Sequence, residues 1–129
     1  MPRILLSAAI LALIVLATAT CKKNSAEPVR QFKGKMVVNA CGLFVVDIDQ
    51  AAGAGQGQAW TNNSVTYKNA AGVGNYCYMI DSNIALADSI SFNISATNVS
   101  PGSNCAIPAC AITANPVKTI FLTDVVKIK

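Results

Sequence analysis

Residues 89–96 read Ser-Ile-Ser-Phe-Asn-Ile-Ser-Ala. Ile90, Phe92 and Ile94 fall on one side of an extended chain, and Ser91, Asn93 and Ser95 on the other. A period of two marks a strand with one buried and one wet face. A wet face belongs to antiparallel sheets, because parallel sheets are covered on both sides. This stretch therefore sets the expectation for the chain around it. Residues 36–41 and 43–49 predict two more strands, with Gly42 between them marking a tight turn or bulge. Residues 65–68 predict a short strand and residues 76–80 a fuller one. Residues 119–129 predict the last, apolar on both faces at Ile120, Phe121 and Leu122.

Between these runs the texture is loop-like. Residues 51–58 hold three glycines, residues 81–88 allow one helical turn over Ile84, Ala85 and Leu86, and residues 98–114 are rich in turn formers. No sustained 3.6-residue periodicity follows residue 30, and no repeat is present. About six short strands in so few residues predict an all-β fold. The expected form is a small antiparallel β-sandwich or barrel, with a five-stranded OB-like barrel as its specific version. Such a barrel would carry a helix between its middle strands, and no long one is evident.

The N-terminal segment has a different character. Arg3 precedes a run in which fifteen of the first twenty residues are apolar. Ala17, Thr18, Ala19 and Thr20 then lead into Cys21, followed abruptly by Lys22, Lys23, Asn24 and Ser25. Residues 1–20 are thus expected to be an export signal and to lie outside the fold. The arrangement resembles the precursors of bacterial lipoproteins, which place small residues directly before a cysteine and a polar tether after it. The resemblance covers only about the first 25 residues. It implies that Cys21 is lipidated and that the membrane is a partner through that lipid. An ordinary secretory signal cleaved after Ala19 is the alternative. An uncleaved anchor conflicts with the charges: Lys22, Lys23, Arg30, Lys33 and Lys35 would hold the domain on the cytoplasmic side. The expected organisation is a signal at 1–20, a tether at 21–35 and a β-domain at 36–129.

Charge follows the same division. The chain of 129 residues carries a net charge of +4, which by itself suggests nucleic acid or a membrane surface. Residues 21–35 hold five basic groups against Glu27. Residues 36–129 hold Lys68, Lys118, Lys127 and Lys129 against five Asp. The domain is close to neutral, so nucleic acid is not the expected partner. Its four lysines read as solubility residues at strand edges.

Cysteine arithmetic agrees with export. Assigning Cys21 to lipid leaves Cys41, Cys77, Cys105 and Cys110, an even number suited to two disulfides. Of the three pairings, proximity in sequence favours Cys41–Cys77 with Cys105–Cys110.

Candidate chemistry is sparse. The chain has no histidine, which excludes the Ser-His-Asp triad, the Cys-His dyad and any histidine zinc site. Asp47 and Asp49 would share one strand face and are weak candidates for a cation or for hydrolysis. The glycines at 53, 55 and 57 lack the third glycine and the following helix of a dinucleotide loop. No cofactor is expected. Trp60, Tyr76 and Tyr78 are the candidate ligand-binding side chains, with Tyr67 beside them; on a regular strand, Tyr76 and Tyr78 would face away from Cys77. Exposed aromatics could bind sugars or peptides, whereas core packing is their ordinary use. The sequence thus points to an exported, lipid-anchored, non-catalytic module of the bacterial envelope, expected at the outer membrane, with a binding or structural role. The alternatives are a secreted or periplasmic hydrolase or inhibitor without lipid, or a subunit of a surface assembly.

Overall fold

A computed structural model describes residues 29–108 and 118–129. Cys21 and Cys110 lie outside the described residues. Six strands appear, β1 (Phe32–Ala40), β2 (Leu43–Ile48), β3 (Gln58–Asn62), β4 (Val65–Val73), β5 (Ser89–Ser95) and β6 (Thr119–Lys127). Among the described residues two short helices interrupt them, α1 (Gln50–Gly53) and α2 (Tyr76–Asp81).

The strands form one sheet in the order β2-β1-β5-β6-β4-β3, and a further pairing of β2 with β4 closes five of them into a ring. Around the ring run β1, β2, β4, β6 and β5, with β3 added outside along β4. The sheet is mixed rather than antiparallel throughout. β4 and β6 run parallel, with Gly72 opposite Thr119 and Val73 opposite Ile120. A parallel pair cannot be joined by a hairpin, and here the connection passes through α2 and β5. Ring closure also removes the two open edges of a sandwich sheet.

The alternation in residues 89–96 holds: Ile90 and Phe92 are buried and Ile94 half-buried. Inside the ring they meet Met36, Phe44, Val46, Ile48, Val73 and Leu122. Val45 points the opposite way from Phe44 and Val46, as a strand requires. It is nevertheless buried, in a second small cluster with Trp60 and Ala70. β3 is what covers that outer face.

β1 starts at Phe32, so residues 32–35, read as tether, belong to the barrel. Phe32 stacks on Phe92 with ring centroids 6.1 Å apart, which gives the strand an apolar reason to begin there. Residues 76–80 form α2 instead of a strand. A short run such as Tyr-Cys-Tyr-Met-Ile cannot be assigned by period alone, and here one helical turn buries Met79 against the core. The turn expected over residues 84–86 is accordingly displaced to this earlier position.

The favoured disulfide pairing is overturned. Cys77 on α2 bonds to Cys105, with a Cα separation of 5.5 Å, so neither Cys41–Cys77 nor Cys105–Cys110 forms. The reason is spatial. The chain after β5 doubles back as a strap over α2, and at Gly102 a Cβ would lie 2.2 Å from the Tyr78 amide nitrogen. Only a residue without a side chain, at φ +80°, allows that approach. Ser103 then donates from its amide and its hydroxyl to Asp81, each at 2.6 Å. These hydrogen bonds hold the Asp81 carboxyl below the usual carboxylate range.

Candidate functional site

The site is a groove of about 730 Å³ on the outside of the barrel, crossing β1, the end of β2 and the start of β4. The hairpin register builds it. Lys35 stands opposite Asp47 and Gly34 opposite Ile48, so the β1–β2 pair presents alternating charge on its outer face. Asp49 follows, its amide donating to the Lys33 carbonyl at 2.8 Å. β4 adds Tyr67 and Lys68 from the other side, and Ser89 and Ile128 close the rim.

Both carboxylates are fixed by backbone amides. The Asn69 amide donates to Asp47 Oδ1 at 3.3 Å, and the Ala51 amide to Asp49 Oδ1 at 3.0 Å, which makes Asp49 the N-cap of α1. The second oxygen of each has no hydrogen-bond partner among the described residues. The ammonium groups of Lys33, Lys35 and Lys68 form no ion pair and no hydrogen bond among the described residues, although two carboxylates line the same groove. The ion pair Lys127–Asp88, at 2.8 Å, involves none of these five side chains. The groove therefore offers ammonium donors and oriented carboxylate acceptors at once.

Asp47 and Asp49 both line the groove, Asp47 from β2 and Asp49 from the N-cap of α1 rather than from one strand face. Among the described residues no group of three or more His, Cys, Asp or Glu is placed to hold a metal. Trp60, Tyr76 and Tyr78 are not brought together. Trp60 is 9% exposed and stacks on Tyr67 with centroids 5.8 Å apart, over Val45 and Ala70. Tyr76 is half-buried, its ring 5.1 Å from that of Phe44. Tyr78 is half-buried too, and its hydroxyl accepts from the Val125 amide at 3.1 Å. By sequence alone Lys33 and Lys35 are tether charges and Lys68 a solubility residue. No local signal marks them: the pairs nearest the Gly42 turn would carry Asp47 opposite Met36, and only the register shift between Met36 and Val38 brings Lys35 across from Asp47.

Two buried asparagines hold the surroundings. Asn69 donates to the carbonyls of Ile48 (3.1 Å) and Gly53 (2.7 Å) and accepts from the Gly57 amide (2.7 Å), which fixes α1 and its loop beside the groove. Asn75 treats Leu122 as a strand neighbour would, donating to its carbonyl at 2.7 Å and accepting from its amide at 3.0 Å. It also donates to the Ser100 carbonyl at 3.0 Å, tying in the strap.

No family model, no curated protein and no solved structure matches this chain. Among the described residues no helix is long and apolar enough to cross a membrane.

Proposed function

We propose that this chain is an exported, non-catalytic binding module of the bacterial envelope, anchored through a lipid on Cys21. The barrel follows a short tether and takes its ligand in the groove across β1, β2 and β4. The observation that carries the binding role is the set of three unpaired lysines beside two carboxylates held by backbone amides. Surface charges ordinarily neutralise one another or stand singly. Here five converge on one concavity of a size usual for ligand clefts, roughly 300–1,000 Å³.

The finer reading of the fold is an OB-type barrel. In support stand the ring order β1-β2-β4-β6-β5, the parallel pair β4–β6, and α2 between β4 and β5; β3 is then an added strand. The remaining cysteines are read as a second disulfide, Cys41–Cys110. Cys41 is not a free thiol. At Gly42, φ +75°, a Cβ would lie 2.6 Å from the Ile107 side chain, so the strap crosses this turn three residues before Cys110.

A lysine footprint tests the binding role. Acetylation of the protein in intact envelopes should spare Lys33, Lys35 and Lys68 while labelling Lys129 as in the purified protein. Equal labelling of all four in both states would sink it.

A further inference from the structure

We infer that the groove accepts an anionic oligosaccharide. Lys33, Lys35 and Lys68 meet its acid groups, and the free oxygens of Asp47 and Asp49 accept from its hydroxyls. This inference rests on the binding role proposed above for the same groove and names the ligand class.

The carboxylates decide the ligand class. A groove built only to collect anions would not carry Asp47 and Asp49 between its lysines, because each repels the charge the lysines attract. Nor does either carboxylate neutralise a lysine: none of the three ammonium groups forms an ion pair among the described residues. Each carboxylate is instead oriented by a backbone amide on one oxygen, leaving the other to accept. The complementary ligand must therefore bring negative charge and hydroxyl donors together, spaced along its length. A chain of acidic sugars does this. A bare phosphate brings charge without the hydroxyl array, and a flat bilayer cannot enter a concavity. Tyr67, half-buried and braced by Trp60 from within, adds a rigid aromatic edge of the kind sugars pack against.

The test is a calorimetric titration of the full mature chain, purified in detergent. The ligands are a short oligogalacturonide, its neutral methyl ester, inorganic phosphate and glycerol phosphate. The oligogalacturonide should bind, more weakly as salt is raised. The methyl ester, phosphate and glycerol phosphate should each bind at least about tenfold more weakly. The double variant Lys33→Gln, Lys68→Gln should lose about tenfold. Asp49→Asn decides between the two kinds of site. Asparagine keeps the N-cap of α1, so the barrel stays intact while an acceptor is lost, and oligogalacturonide affinity should fall several-fold. A rise in affinity would show a groove that reads charge alone and would overturn the inference, as would equal binding of the ester or of the phosphates. If no ligand binds while the three lysines remain protected in envelopes, the ligand class is wrong and the binding role stands. If that protection is missing as well, both fall.

Discussion

Asn75 and Asn69 show how a small barrel closes where its strands run out. Each spends both ends of its amide on backbone groups of distant segments, and no buried side-chain polar atom among the described residues lacks a partner. Truncation would strand those groups in the interior. Asn75→Ala should cost about 2–3 kcal/mol, read as a lowered denaturation midpoint. Tyr78 does similar work at a bulge. The β5–β6 register slips between Ser91 and Asn93, where Asp124 takes φ +53° and the Val125 amide turns to the tyrosine hydroxyl. Tyr78→Phe keeps the ring in the core and removes only that acceptor, so a loss of about 1 kcal/mol is expected from the same measurement. Nothing in the sequence distinguishes these residues from any asparagine or tyrosine in a loop, because their partners are 12 to 47 residues away.

At the level of elements, legibility followed locality. The alternation of β5 and the hairpin about Gly42 could be read because each is decided by neighbours in sequence. α2 could not, since five apolar or aromatic residues in a row fit a buried strand equally well. β3 escaped because Gln58, Ala59, Thr61 and Asn62 are exposed or half-buried, and Trp60 alone faces inward. The strap over α2 is the element whose role is most testable. Its disulfide closes a sequence separation of 28 residues, worth about 3–4 kcal/mol by the chain-entropy estimate. Replacing Cys77 and Cys105 by Ser should lower thermal stability by that order, checked by calorimetry. The strap should also respond to acid. The Asp81 carboxyl titrates lower when folded than when unfolded, through its hydrogen bonds to Ser103. Its contribution is therefore present above the unfolded value and is lost as the pH falls through the folded one. Exchange of the Ser103 amide should accelerate below the usual carboxylate range, and Asp81→Asn should remove that acceleration.

On the scale of the whole molecule, ring closure and the groove were both invisible to sequence for one reason. β2 meets β4 and β4 meets β6 only after the chain has returned from far away, and the lysines of the groove lie on strands separated by up to 35 positions. Read singly, Lys33 and Lys35 are tether charges and Lys68 a solubility residue. The barrel changes their meaning by curving β1 and β4 around the end of β2. The charge division of the chain keeps its force: the basic excess lies before residue 36, next to the expected lipid, and the last two basic residues of that stretch, Lys33 and Lys35, enter the groove. The proposed protein thus joins a lipid-anchored N-terminus to an oxidised barrel. The intact mass of the protein recovered from cells, before and after reduction, tests that union most directly. It should show a chain beginning at an acylated Cys21 that gains the hydrogens of two disulfides on reduction. A chain beginning at Thr20 with an unmodified Cys21, or one whose mass is unchanged by reduction, would contradict it.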